Sequence, residues 1–501
     1  MDPRRRLPVL SCAEAAAAEA VHLGDDGRLA WRLMNAAARA TAAHARALLP
    51  SAPRSTLVIA GKGRNGADAF LTALLLAPRG GRVVRLLVDG EPRERTARRA
   101  WRQRKAGVKV VTLGAAEATR AGGTEHDLVI DGLFGQGFRP PLSARHRRVL
   151  RWAEGAAPVR VSVDLPSGLG DAGGAAAAFK ADLTVSIGCL KRPLLTPGGA
   201  RAAGRVRVAD IGLPLAETEE NAALPGVLRP LGRPRAAGSD KRHHGRACII
   251  GGSDGMPGAA IMNVRAAVQS GAALVTAAVP ESVRAAAAAG TPEAMWRSFR
   301  TARQGAVAAA EAPALARLCA DKDAVLAGSG MTSSALTTLR RALSAYRGDL
   351  VLDADALRPE LVRALRSWST LTLLPHAGEF LRLTGTRMSP QTGRRWAARL
   401  GAVIVLKGPL TAVTDGVRTS FVPFGGPVLA RGGSGDLLAG MVVSLLARRR
   451  ALGLGHFEAV EAAVVWHALA AETLSRNRGE EAVRTTELLS GLSPALRSAL
   501  R

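Results

Sequence analysis

The segment Leu429–Val442, LARGGSGDLLAGMV, sets Gly432, Gly433 and Gly435 directly before an apolar run at helical spacing. Glycine adopts backbone angles that other residues resist, so the chain can turn sharply into a helix here. Unpaired N–H groups and the positive end of the helix dipole gather at such a start. The segment therefore reads as an anion site suited to phosphate. Asp436 falls in the first helical turn. An acid there either complements the dipole or works on whatever the glycines hold.

Two further segments bear on the choice. GAVIVLKGPLTAV (Gly401–Val413) is a buried-type strand, then Lys407-Gly408, then a second apolar run. LVLDADAL and LLPHAGEFLRL (between Leu350 and Leu383) are a strand ending in acids and a strand ending at Pro375-His376. Open α/β sheets place their ligands in the loops that follow strands. In this order the motifs resemble the ADP/ATP-dependent NAD(P)H-hydrate dehydratases, a branch of the ribokinase-like fold. The resemblance implies that Asp436 is catalytic and acts at the substrate hydroxyl. It also implies that Lys407, Gly408, Pro409, Leu410 and Thr411, with Gly433, Ser434 and Gly435, hold ADP or ATP. Ala259, Gly330 and His376 then contact the substrate, with His376 alternatively a structural strand-end residue. Mg²⁺ is expected with the nucleotide, although no dedicated cage for it is legible.

The first half carries its own constellation. TLVIAGKGRNGADAFLTALLLA is a buried strand, then Gly61, Gly63 and Gly66 spaced as GxGxxG, then a helix from about Ala67. The next strand, RVVRLLVD, ends in Asp89, near the spacing of a ribose-binding acid, so a nicotinamide-dependent oxidoreductase competes at this point. HDLVIDGLFGQGF then ends a strand in Asp131, and VRVSVDLPSGLG ends one in Asp164, followed by Ser167. Successive strand ends thus present Asn65 and Asp68, Asp131, and Asp164 with Ser167. Acids at one sheet edge repel each other unless a cation or substrate charge joins them, and oxygen ligands suit a hard cation. Turns that merely use Asp, Gly and Ser are the alternative.

With Phe179–Pro214, this order resembles the NAD(P)H-hydrate epimerase domain, a Rossmann-like sheet that uses a potassium ion. The resemblance implies K⁺ on Asn65, Asp131 and Ser167, and Asp164 as catalytic and substrate-binding. Arg64, Asn65, Gly66, Ala67 and Asp68, together with Gly135, Gln136, Gly137 and Phe138, then contact the substrate. One departure stands out, because the family pattern GNNGGDG is here Gly63-Arg64-Asn65-Gly66-Ala67-Asp68-Ala69. Arg64 adds a charge beside the cation site or reaches the substrate pyrophosphate. Ala67 and Ala69 put β-carbons where glycines bring backbone against ligand. Slow epimerisation is therefore expected.

These sites must be positioned by two α/β domains. Residues 1–214 are assigned to an epimerase-like unit on a Rossmann-like three-layer sheet, 215–238 to a Pro- and Ala-rich linker, and 239–501 to a ribokinase-like unit. Residues 1–50 read as helical, and the C-terminal tail as ordinary helix with a frayed end. At 501 residues with 47% hydrophobic composition, both units can bury a core. No apolar run reaches the roughly 20 residues of a membrane span. Four cysteines without a CxxC pair argue against zinc and fit a reducing, cytoplasmic setting. The net charge of +28 raises nucleic acid as a partner, but the arginines are spread over helices, and one tyrosine leaves no aromatic signature for RNA. The expected activity is repair of hydrated NADH and NADPH (NADHX and NADPHX), in a homo-oligomer. R and S epimers interconvert, and ADP or ATP drives dehydration of the S form with release of AMP or ADP and phosphate. The alternative is a ribokinase-like kinase of a vitamin-precursor alcohol with an inactive first domain.

Overall fold

In the computed structural model, the residues described are 6–24, 26–92, 94–114, 126–302, 305, 307–366 and 369–501. They form two compact units, Leu7–Ala222, and Ala223–Arg501 with Arg6. The change of unit falls inside the expected linker. That stretch is not bare linker, however. It holds the strand Glu220–Ala223 and the 3-10 helix Pro225–Gly232, whose Val227 and Leu228 are buried.

The first unit is built on a 7-stranded sheet. Its strands lie in the order Lys109–Gly114, Arg82–Leu87, Ser55–Ala60, Leu128–Gly132, Val159–Val163, Leu183–Ile187 and Arg205–Ala209, all parallel. This is the doubly wound order, in which the chain starts mid-sheet and ligands collect at the switch point. The continuous apolar run Leu57–Ala60 still alternates: Val58 and Ala60 join one core, and Leu57 and Ile59 the core on the other face. Both faces are buried, as a parallel sheet requires. Residues 1–50 are helical only in part. A strand, Arg6–Leu10, precedes helices Cys12–Leu23 and Gly27–Arg46. Ser11 and Glu14 form a reciprocal capping box on the first helix, and Asp26 caps the second.

In the second unit the strands lie in the order Met295–Phe299, Leu274–Pro280, Arg246–Ile250, Ala324–Ala327, Asp349–Leu352, Thr370–Leu373, Ala402–Leu406, Thr411–Thr414 and Thr419–Val422. Pairing is parallel as far as Ala402–Leu406 and antiparallel for the last two strands. The helix Ser434–Leu452 is buried on every side from Leu437 to Ala447. It lies hard against the helix Pro257–Gln269, because a β-carbon on Gly440 would come within 2.1 Å of the Asn263 carbonyl oxygen. The C-terminal tail is not frayed. Helix His456–Arg478 leads to Thr485–Gly491 and Leu492–Ala499, with Leu488, Leu492 and Ala495 in the core.

Candidate active sites

In the second unit three parallel strands deliver side chains at their C-terminal ends. Asp353 follows Asp349–Leu352, His376 follows Thr370–Leu373, and Lys407 follows Ala402–Leu406. The Lys407 ammonium lies 2.8 Å from Asp353 Oδ1 and 3.8 Å from Glu379 Oε2. Burial alone would lower the Lys407 pKa, but Asp353 and Glu379 override it and raise it. Asp353, almost wholly buried, is raised by burial and pulled back by Lys407.

The glycine-rich segment meets this cluster. Gly433 caps the helix Ser434–Leu452 in the left-handed region, at φ 86°, with no side chain satisfying the first N–H groups. The Ser434 N–H donates to the Arg431 carbonyl at 3.3 Å, and the N–H groups of Gly435 and Asp436 are left for an anion. A β-carbon on Gly435 would lie 3.4 Å from Lys407 Nζ, so the helix start and the lysine face one another. Burial, followed by the charge of Asp353, pushes the Asp436 carboxyl up to about 6, against the Ser329 hydroxyl and Lys407. Asn263 fixes this residue from behind, its Nδ2 donating to the Asp436 carbonyl at 2.7 Å. Behind the loop, burial lowers the His467 pKa to about 4, so the ring is neutral where it meets the Ser434 backbone.

Other expected residues fall around this centre in different ways. Gly330 needs its left-handed φ of 67°, and a β-carbon there would meet Ala259 Cβ at 2.8 Å, which joins these two expected substrate contacts. His376 caps the helix Ala377–Thr384, its Nδ1 accepting from the amides of Gly378 and Glu379, while much of its ring stays exposed. Gly408, Pro409, Leu410 and Thr411 form the turn into the next strand, with Thr411 Oγ1 donating to the Gly408 carbonyl at 3.2 Å. The Lys407 side chain turns toward Asp353 and Glu379. Glu379, Asn263 and Ser329 were not singled out from sequence. Asp353 was visible only as a strand-end acid.

In the first unit the helix Arg64–Leu76 starts at Gly63 with no side-chain cap, which leaves open N–H groups beside the Ser55–Ala60 strand. Gly66 already belongs to its first turn, where a β-carbon would meet the Gly61 carbonyl oxygen at 2.1 Å. Asn65, Asp131 and Ser167 gather around the Phe134 backbone. The Asn65 amide donates to the Phe134 carbonyl at 2.9 Å, and the Phe134 N–H donates to Ser167 Oγ at 2.8 Å. Asp131, fully buried, accepts from Ser167 Oγ at 2.5 Å, the Ser167 N–H at 2.8 Å, Ser162 Oγ at 3.0 Å and the Leu133 N–H at 3.3 Å. Burial raises its pKa to about 6 despite these bonds. A buried carboxylate held by neutral donors lacks a counter-charge, and the oxygens of Asn65, Phe134, Asp131 and Ser167 fit a hard monovalent cation.

Asp164 is held in the left-handed region at φ 67°, a costly place for a residue with a β-carbon. Its Oδ1 lies 2.5 Å from Lys191 Nζ and accepts the Ile187 N–H at 3.2 Å. Burial would lower the Lys191 pKa, but Asp164 overrides it and the lysine stays charged. Lys191 went unremarked in the sequence, as did Phe134. Asp68 has a buried Oδ1 without a hydrogen-bond partner, and burial, then Glu19 and Asp164, raise its pKa well above the ordinary value.

Two expectations are corrected here. Arg64 does not stand as an uncompensated charge, because its guanidinium is 2.9 Å from Glu19 and 3.1 Å from Glu94. Glu19 also accepts from Gln136 Nε2 at 2.6 Å. Ala67 and Ala69 are not in the glycine turn. They lie within the helix and are fully buried in the core.

Among the described residues no group of three or more His, Cys, Asp or Glu side chains is arranged to hold a metal ion, and no helix is long and apolar enough to cross a membrane.

The family described as NAD(P)H-hydrate dehydratase matches residues 247–494, and the one described as YjeF-related protein N-terminus matches residues 30–193. The bifunctional NAD(P)H-hydrate repair enzyme Nnr of Pyrobaculum aerophilum is 34% identical over 83% of this chain and 85% of its own. That of Moorella thermoacetica is 33% identical over 89% and 88%. A solved structure of the Bacillus subtilis ADP/ATP-dependent NAD(P)H-hydrate dehydratase, co-crystallised with ATP and Mg²⁺, covers 53% of this chain and 94% of its own at 28% identity, with a TM-score of 0.45. With both halves matched and relatives aligned over most of its length, the chain belongs to the family of bifunctional NAD(P)H-hydrate repair enzymes.

Proposed function

We propose that the protein repairs hydrated NADH and NADPH, the first unit interconverting the R and S epimers and the second dehydrating the S form at the expense of ADP or ATP. The observation that carries the second activity is Asp436, held near neutrality in the first turn of an uncapped helix. Hydroxide is a poor leaving group, and phosphorylation of the C6 hydroxyl makes it a good one. Asp436 takes the hydroxyl proton as that oxygen attacks the terminal phosphoryl group, and a base with a pKa near the working pH suits this step. The amides of Gly433 to Gly435 and the Lys407 ammonium face the charge that builds on the transferring group. The C6–O bond then breaks, phosphate leaves, and loss of a ring proton restores the dihydropyridine. Mg²⁺ bound with the nucleotide would supply positive charge against its phosphates. Alanine 259, Gly330 and His376 flank the hydroxyl side, and Gly408–Thr411 the nucleotide side.

For epimerisation, Asp164 is the base at the sugar-linked ring, its carboxylate fixed by the Lys191 ammonium and the Ile187 N–H. The open N–H groups after Gly63 take the pyrophosphate. A potassium ion on Asn65, Asp131, Ser167 and the Phe134 carbonyl would supply positive charge beside that anion. Arg64, paired with two carboxylates, does not replace it. A cytoplasmic setting suits these substrates.

Mixed NADHX epimers incubated with protein and ADP should return all of the material as NADH with one phosphate per turnover. Recovery of only the S half would leave the dehydratase and remove the epimerase. A stable phosphate ester in place of NADH would make the second unit a kinase.

A further inference from the structure

Asp89 plays no part in the chemistry above, yet its place is specific. It stands two residues beyond the strand Arg82–Leu87, which pairs with Ser55–Ala60, the strand that feeds the Gly61–Gly63 turn. In sheets of this strand order an acid at that point reaches the ribose of a dinucleotide whose pyrophosphate lies on the neighbouring glycine turn.

Contacts tie Asp89 to the helix start that follows that turn. Its Oδ1 is 2.8 Å from His146 Nε2. The His146 ring stands edge-on to Phe134, with centroids 5.0 Å apart, and the Phe134 carbonyl accepts the Asn65 amide at 2.9 Å. His146 Nδ1 is 2.9 Å from Ser143 Oγ, and the same Oγ accepts the His146 backbone N–H at 3.2 Å. Asp89 is partly open to solvent, with 23% of its side chain exposed, and Oδ2 has no partner among the described residues. Arg64, the nearest loop cation of the expected substrate set, is already committed to Glu19 and Glu94.

We propose that Asp89, oriented by His146, is a subsite for the adenosine ribose and separates hydrated NADH from hydrated NADPH. Oδ2 accepts a hydrogen bond from a ribose 2′-hydroxyl, and the carboxylate repels a 2′-phosphate. This rests on the epimerase reading of the first unit.

The test compares wild-type full-length protein with Asp89→Asn and His146→Gln, by kcat/KM for epimerisation of R-NADHX and R-NADPHX. Wild type should prefer NADHX. Asp89→Asn keeps the shape and removes the charge, so the preference should fall about tenfold, mainly through a lower KM for NADPHX. His146→Gln keeps the carboxylate and should keep the preference, although both rates fall. An equal ratio in wild type and Asp89→Asn overturns the subsite. So does an equal loss of preference in the two variants, which is the mark of a purely structural pair. Absence of epimerisation by wild type removes the epimerase reading instead. Titration with NADH and NADPH then reads the subsite by itself, and an affinity ratio that Asp89→Asn leaves unmoved overturns it.

Discussion

Lys407 Nζ stands 2.8 Å from Asp353 Oδ1 across 54 residues of sequence, with the start of the Ser434–Leu452 helix directly beside it. One ammonium thus serves two carboxylates and lowers the pKa of a third, Asp436. The chemistry of the second unit depends on that balance.

Replacing Asp436 by Asn should leave ADP affinity and the fold nearly intact while dehydration falls about 10²- to 10⁴-fold, the usual worth of a general base. Single-turnover NADH formation measures it. Wild-type rates in the variant would remove Asp436 from the reaction.

The pH dependence follows from the same residue. Asp436 acts in its ionised form and is pushed up to about 6, so dehydration should be level above that pH and fall roughly tenfold per unit below it. In Lys407→Gln the charge that holds Asp436 down is gone, and the acid limb should move to higher pH. The same variant leaves Asp353 buried without its partner and should lose on the order of 3 kcal/mol of stability. An unmoved acid limb in a folded Lys407→Gln protein would show that another group sets the profile.

In the first unit, the native loop should epimerise R-NADHX rapidly and with potassium stimulation, contrary to the slow rate that the sequence alone led us to expect. Ala67→Gly and Ala69→Gly should bring no gain, and each should cost about 1 kcal/mol as a glycine within a helix. Thermal unfolding and a potassium titration of the rate decide this. Faster turnover in the glycine variants would restore the original expectation.

Ser167→Ala removes a hydroxyl that donates to Asp131 and accepts from the Phe134 N–H. Potassium stimulation should be lost at modest cost to the fold, since Asp131 keeps the Ser162 hydroxyl and the amides of Ser167 and Leu133. Retained stimulation would place the ion elsewhere.

What could be read in the sequence was what depends on short stretches of chain. Gly433, Gly435 and Asp436 share one turn, and the ends of buried strands announce Asp131, Asp164 and Lys407. Pairings across the fold were not legible. Glu19 lies 45 residues from Arg64, so nothing local could show that the added charge is neutralised. The extent of the glycine loop was misjudged because Gly66 looks like a loop residue. It is glycine because the helix begins against the Gly61 carbonyl, which places Ala67 and Ala69 in the core. The direction of Lys407 could not be known before Asp353 and Glu379 were placed beside it.

Gly440 has a mechanical meaning as well as a steric one. The helix that begins at Ser434 spans 19 residues, or about 28 Å of rod, and is clamped backbone to backbone against its neighbour two turns from its start. A rod gripped there cannot tilt to meet an incoming nucleotide. Asp436 and the amides before it are therefore the fixed jaw of the site, and adjustment to the ligand must come from the opposite side, where Gly408 and Pro409 are exposed.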